Sequence, residues 1–398
     1  MSNNHSWLGF ILLIAFCGSL NARNLNETAY HILKQSPEFK AQTYSLESSF
    51  SNLRTSSNLP DPEVGGEYLI APVSEDNRWA AELSWSVEWP GVYGARGKEA
   101  GSKMTAAERN IFAGRVDKLA EIKNLLLDYV QCRKKIELLD ELNHNNDTIF
   151  QLAEKSAKGG ELTVLDLNKV RLEYANIRGS KAALLDEEAA IIGDLSQIYG
   201  GDCSELLAVM ECEFPVIIMP SDSEIARIKE SAQAVQIANA EAEAARKAHS
   251  VAKMEALPSL SIGYKHAFEE ETHFNGVLLG VSIPIFSSRG KQKAAKADIM
   301  EAEFRAEAAA QVVEAEVQAI LRRLNLMKQQ IEEIEPIVEN ADYNATLLKA
   351  YKGGVITLIE YLADRNYFTT AAIDLVGLRH SAAKAGIALQ KYLITESF

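Results

Sequence analysis

His266 and His273 flank the acidic run Glu269-Glu270-Glu271. Imidazole and carboxylate together are suitable ligands for a divalent metal. The same run reads as a solvated loop between two strands, and no metal site is assigned to it. Cys203 and Cys212 lie close together in a polar stretch. An oxidising compartment would let them form a disulfide, and two free thiols fit the sequence equally well. With Cys132 they match no zinc-ligand spacing. No glycine-rich phosphate loop follows a strand, and no serine or cysteine has a recognisable base partner. The residues therefore point to no enzyme and to no cofactor.

The chain around these residues has 398 residues and a net charge of −14, which speaks against nucleic acid as a partner. Its hydrophobic fraction of 47% excludes disorder over most of its length. Leu8 to Phe16 is an apolar core followed by small and polar residues through Ala22. It is too short to span a bilayer and suits a secretory signal peptide over residues 1–22, with Arg23 as the mature start. Phe16 is too bulky to precede a lipidated Cys17. No later segment holds the roughly 20 apolar residues of a membrane helix. A membrane protein with this sequence must span with strands.

The chain repeats itself. Lys158-Gly159-Gly160-Glu161-Leu162-Thr163 recurs 194 residues on as Lys352-Gly353-Gly354-Val355-Ile356-Thr357. Asp166 answers to Glu360, Arg171 to Arg365, and Val87-Glu88-Trp89-Pro90 to Val281-Ser282-Ile283-Pro284, all at the same offset. Arg96-Gly97-Lys98 recurs one residue out of step as Arg289-Gly290-Lys291. The order predicts two copies of one module, residues 23–200 and 221–398, joined by a linker over 201–220. Their hairpins fall at about 62–90 and 258–286.

Residues 79–89 alternate, with Trp79, Ala81, Leu83, Trp85, Val87 and Trp89 on one face and Ala80, Glu82, Ser84, Ser86 and Glu88 on the other. Period two predicts a strand. A soluble antiparallel sheet alternates the same way, but three tryptophans on one face suit the membrane interface. The partner strand is expected over Val64–Ala71, joined by Pro72 to Arg78. In the second copy, Leu260, Ile262, Tyr264 and Phe268 share a face, as do Val277, Leu279, Val281, Ile283 and Ile285. Four strands cannot close a barrel, and an open edge in lipid leaves backbone groups unsatisfied. Either the sheet lies outside a membrane or several chains share one barrel.

Ala100–Lys158 and Lys291–Lys352 (apart from Pro336) read as helix. About 60 residues rise about 90 Å, more than a compact domain needs. The Ala- and Glu-rich surface of 301–307 suits helices around a water-filled tube and also a solvated coiled coil. The Gly-Gly pairs predict turns that stop each helix, with Thr163 and Thr357 capping the return helices.

Together these features resemble the TolC family of outer-membrane efflux proteins over nearly the whole chain after residue 22. The resemblance rests on Ser36-Pro37-Glu38-Phe39, on the strand followed by Pro90 or Pro284 and Arg-Gly-Lys in each copy, and on the paired Gly-Gly turns. It implies a mixed α and β membrane protein, mostly long α-helices forming a periplasmic helical barrel. Four β-strands per chain would join a shared, trimeric, twelve-stranded barrel in the outer membrane of a Gram-negative bacterium. It further implies a homotrimer working with a periplasmic adaptor and an inner-membrane transporter as the exit duct of a tripartite efflux system.

Glu360 matches an acidic position that narrows the periplasmic mouth in that family. The family's second acid falls at Ala363, with Asp364 one residue on, and Asp166 is the first-copy counterpart of Glu360. A ring of such carboxylates would bind cations and set gating and selectivity. Lys158, Gly159, Gly160, Thr163, Lys352, Gly353, Gly354 and Thr357 would form the tip that meets the adaptor. Trp79, Trp85 and Trp89 are the expected membrane-interface aromatics. Two other functions fit the sequence: the outer-membrane component of a type I protein secretion system, and a periplasmic coiled-coil scaffold. The cargo (drug, metal, dye or peptide) is not legible.

Overall fold

The computed structural model describes residues 24–70, 78–160, 162–216, 219–269, 272–339 and 343–394, without the side chains of 143–148, 229 and 344. The expected signal peptide, loop residues 72–77, Glu161, Glu270 and Glu271 lie outside the described residues. Two helices, α1 (Leu25–Gln35) and α2 (Pro37–Thr55), lead into strands β1 (Glu63–Leu69) and β2 (Arg78–Val87). The rod α3 (Pro90–Lys158) follows, and α4 (Val164–Tyr199) returns along it. After α5 (Ser204–Ala208), α6 (Asp222–Ser231) and α7 (Gln233–Met254) come strands β3 (Ser259–Glu269) and β4 (Thr272–Ser282). The chain closes with α8 (Lys291–Val338), α9 (Tyr343–Lys352) and α10 (Leu358–Gln390).

The Ser36-Pro37-Glu38-Phe39 motif is the break between α1 and α2. The Ser36 hydroxyl donates to the Leu33 carbonyl at 2.7 Å and accepts from the Phe39 amide at 3.2 Å. It thus closes one helix and caps the next, and Pro37 takes the first-turn position where its missing N–H costs nothing. Gly200 ends α4 at φ 81°, and a Cβ there would stand 2.9 Å from Pro37 Cγ. Glycine is required at that position both for the left-handed backbone and for the close approach.

The helix over residues 100–158 begins earlier than expected. It starts at Pro90, and its 69 residues span about 100 Å. Helix α8 runs through Pro336 and ends at Val338. Pro336 removes one helical hydrogen bond and crowds the preceding turn, yet the helix continues through it, and α9 is a separate element from Tyr343. Helix α3 packs against α7, α4, α10, α2 and α1, while α8 packs against α7 and α10. The core is correspondingly thin and distributed. One cluster, including Leu119, Ile122, Leu126 and Leu195, joins α1, α3 and α4 to α5 and to Ile387 of α10. A second, including Val313, Val317 and Leu324 of α8, joins α6 and the end of α10. Among the described residues no helix is long and apolar enough to cross a membrane.

The four strands form one antiparallel sheet in the order β1-β2-β3-β4. The central pairing, Trp79↔Phe268 through Val87↔Leu260, joins the two hairpins. Strand limits differ from expectation at two places, while Ala71 lies outside the described residues. Trp89 has left β2 and takes the N-cap position of α3, and Ile283 and Ile285 lie beyond β4. Pro90 explains the first, because proline favours the first turn of a helix and ends the ladder. Cys132, Cys203 and Cys212 are free thiols. Cys203 is buried with its sulfur 3.2 Å from Ser196 Oγ, so no disulfide ties it to Cys212.

Candidate functional site: a two-faced sheet, a charged collar and a paired helical tip

The register places Leu83, Trp85 and Val87 beside Tyr264, Ile262 and Leu260, and these beside Val277, Leu279 and Val281. This face is exposed, with Leu279 at 80% and Val64 at 82%. An apolar sheet face of this extent is abnormal in water and normal against lipid. Trp79 stacks on Phe268 at 6.4 Å near the hairpin tips, and Trp85 Nε1 donates to the Pro60 carbonyl at 2.8 Å. The opposite face is polar. Lys265 lies 3.6 Å from Glu67, Arg78 lies 2.5 Å from Glu269, and Glu82, Ser84 and Ser86 share that face. All four strands meet helices at one end and hairpin loops at the other.

A collar of charge sits where strands meet helices. Arg96 reaches Glu88 and Glu255, each at 2.8 Å, and Lys291 reaches Glu255 at 3.4 Å. The two Arg-Gly-Lys motifs therefore converge on one carboxylate, Arg96 from the first and Lys291 from the second. Partial burial pushes the Glu255 carboxyl up, but the hydrogen bond and charge of Arg96, helped by Lys291, hold it below the ordinary range. This convergence was not legible in the sequence, because Glu255 lies outside both motifs.

About 100 Å away, the two Gly-Gly turns lie side by side. Ile149, Ala153 and Val170 pack with Leu347, Leu358 and Tyr361 in one cluster. Both turns are built alike. Gly160 and Gly354 take φ 77° and 71°, the left-handed conformation that favours glycine. The Val355 amide reaches back to the Ala350 carbonyl at 2.9 Å, and the Leu162 amide to Ser156 at 3.3 Å, satisfying carbonyls at the helix ends. Thr163 and Thr357 are N-caps, as expected. Lys158, Gly159, Lys352 and Gly353 complete the two turns.

The acidic candidates turn out to be part of these caps. Glu360 accepts from the Thr357 amide at 2.8 Å and from its hydroxyl at 2.9 Å, while its own amide donates to Thr357 Oγ1 at 3.2 Å. This reciprocal pair is a capping box. Asp166 accepts from the Thr163 hydroxyl at 2.6 Å and from Lys169 at 3.1 Å. Hydrogen bonds from the backbone and side chain of Thr357 hold Glu360 below the ordinary carboxylate range, and those from Thr163 and Lys169 do the same for Asp166. Asp364 is exposed one turn beyond Glu360, on the same strip as Tyr367, which is 80% exposed.

Arg365 was not among the expected site residues. It is 3% exposed, lies over the Tyr361 ring at 5.7 Å, and approaches Glu173 of α4 at 3.9 Å. It therefore ties the two return helices, whereas Arg171 approaches Glu154 of α3 at 3.5 Å.

No family's sequence profile matches the chain, and no curated protein does. Solved structures do. The outer-membrane channel CmeC of Campylobacter jejuni is 16% identical, with a TM-score of 0.76 over 94% of this chain and 86% of that one. The outer-membrane protein VceC of Vibrio cholerae is 17% identical, with a TM-score of 0.74 over 93% of this chain and 95% of that one. The open state of the Neisseria gonorrhoeae outer-membrane channel MtrE is 13% identical, with a TM-score of 0.74 over 93% and 88%. At these identities the likeness establishes the fold, which is that of bacterial outer-membrane channels.

Proposed function

We propose that the chain is one subunit of a homotrimeric, TolC-like channel-tunnel in the outer membrane of a Gram-negative bacterium, the passive exit duct of a tripartite efflux system. The observation that carries this reading is the two-faced sheet with two unpaired edges, β1 and β4, attached to long helices of which α3 spans about 100 Å. In lipid those edges must be paired. Three copies of four antiparallel strands make a closed ring of twelve, with β4 of each copy beside β1 of the next. The face of Glu67, Lys265 and Glu82 then lines a watery lumen, and the face of Trp85 and Leu279 meets lipid. Residues 23–200 and 221–398 act as two copies of one module, so each chain supplies two hairpins and two helical tips.

In this reading the tips around Gly160 and Gly354 dock a periplasmic adaptor, which joins the duct to an inner-membrane transporter. Glu360 and Asp364 line the periplasmic mouth, where carboxylates concentrate cations. The cargo is a small molecule or metal ion. The test is the assembly itself. Paired cysteines introduced on β1 and β4, at Val64 and Leu279, should cross-link into a trimer in outer-membrane fractions, and the purified trimer should conduct in planar bilayers. A monomer recovered from the soluble fraction overturns the proposal.

A further inference from the structure

At the hairpin end of the sheet, farthest from the helices, His266 and His273 stack with ring centroids 5.3 Å apart. They sit on the aromatic face, beside Trp79 and Phe268. His266 Nε2 and His273 Nδ1 face each other at 3.3 Å. His266 Nδ1 is 2.8 Å from Asn275 Oδ1, and the Tyr264 hydroxyl donates to that same oxygen at 2.5 Å. An amide oxygen only accepts, so His266 must carry its proton on Nδ1 and present a lone pair at Nε2.

We propose that this pair is a binding site for a borderline-soft divalent cation such as Zn²⁺, Ni²⁺ or Cu²⁺. Two nitrogens on one tetrahedral zinc, each about 2.0–2.1 Å from the metal, lie about 3.3–3.4 Å apart, which is the separation already present. The second requirement is also met. A metal-binding imidazole holds its orientation by donating its other N–H to an oxygen, and His266 donates to Asn275, itself held by Tyr264. In the metal-free protein the His273 Nδ1–H donates to His266 Nε2. On binding, His273 moves its proton to Nε2 and frees Nδ1 as the second ligand. Among the described residues no group of three or more His, Cys, Asp and Glu side chains converges. Imidazole nitrogens select these metals over Ca²⁺ and Mg²⁺, which take oxygen ligands.

The site does not depend on the channel reading, since trimer formation and metal uptake are measured separately. The experiment titrates EDTA-stripped, detergent-purified full-length protein with ZnCl₂ by calorimetry and with CuCl₂ by tryptophan fluorescence. One zinc should bind per chain. H266A and H273A should each weaken it about tenfold or more, and N275A about 10–100-fold through loss of the oxygen that orients His266. Cu²⁺ should quench Trp79, whose ring lies 5.3 Å from His266, and W79F should lose that quenching while keeping its zinc. All four positions are on a sheet surface, and unchanged circular dichroism and trimer elution verify folding. Wild-type protein that takes up no zinc, or zinc binding that survives H266A and H273A unchanged, overturns the proposal. An N275A protein that binds like wild type removes the orienting role of Asn275.

Discussion

Glu360 caps α10 and, in the proposed channel, lines the mouth, and three substitutions separate the two roles. A capping box accepts Glu or Gln at its third helical position. E360Q therefore keeps the bonds to the Thr357 amide and hydroxyl at 2.8 and 2.9 Å and removes only the charge. T357A keeps the charge and removes the cap, costing about 1 kcal/mol, or about fivefold faster opening of the first turn of α10. E360A removes both. The electrostatic effect follows from Coulomb's law. A carboxylate about 8 Å from a passing cation raises its local concentration about 2.4-fold in unscreened water. With a Debye length of about 10 Å at 0.1 M salt this falls to about 1.5-fold, and three subunits compound it to about threefold. Anions are depleted by the same factor, so E360Q and E360A should lower cation-over-anion permeability about tenfold in planar bilayers at 0.1 M salt, and barely at 1 M. T357A should leave permeability alone. Amide exchange over residues 358–361 should quicken in T357A and E360A and not in E360Q. The Thr357 hydrogen bonds hold the Glu360 pKa below its ordinary value, so its charge and cap are complete at neutral pH and are lost only as pH falls through that lowered value. Unchanged permeability in E360Q refutes the mouth position, and unchanged exchange in T357A refutes the cap.

Three further outcomes follow from the same geometry. R96A strands Glu88 and Glu255 beside a vacated, three-quarters-buried site; a cost between those of surface and buried pairs, about 2 kcal/mol, should lower Tm by about 2–3 °C by circular dichroism. Because the Glu255 pKa is depressed, its stabilising share is present above the ordinary carboxylate range and fades as pH falls through the folded value, so wild type and R96A should converge in acid. Mass spectrometry without reductant should find Cys132, Cys203 and Cys212 unlinked, and Cys132, its pKa pushed up to about 11 by burial, should resist iodoacetamide until the protein unfolds. The double variant D166N/K169Q should leave permeability unchanged, since Lys169 already neutralises Asp166 at 3.1 Å, whereas D166N alone uncovers the lysine and should lower cation permeability.

What the sequence discloses is what local periodicity and turn chemistry control. The alternation around Trp79–Val87, the four strands and the Thr163 and Thr357 caps were legible because each depends on neighbours within a few residues. Element ends were less so. Pro90 moved the start of α3 by ten residues, since a proline that forbids a strand also favours a first helical turn. The long-range pairings were hidden for a different reason. Glu255 with Arg96 and Lys291, Arg365 with Glu173, and Asp128 with His380 and Lys384 at 2.6 Å each join residues that no spacing relates. Whether Cys203 and Cys212 pair was equally undecidable, because disulfide geometry depends on where the backbone puts them.

The two tips show how equivalent positions acquire unequal electrostatics. Asp166 and Glu360 stand 194 residues apart, and both take the third position of a capped helix. Three residues beyond them the sequence reads Lys169 in one case and Ala363 in the other. Lys169 closes an ion pair with Asp166, and the half-buried acid is then locally neutral. Ala363 can do nothing of the kind, and among the described residues Glu360 makes no ion pair. One turn further the difference grows, because Val170 is buried in the shared cluster where Asp364 is exposed. The arginines diverge in the same sense. Arg171 stays with Glu154 at the surface, while Arg365 is buried against Glu173. Among the described residues of the two tips, acids without an ion pair therefore lie on α10, at Glu360 and Asp364, while the acids of the first tip are paired with Lys169 and Arg171.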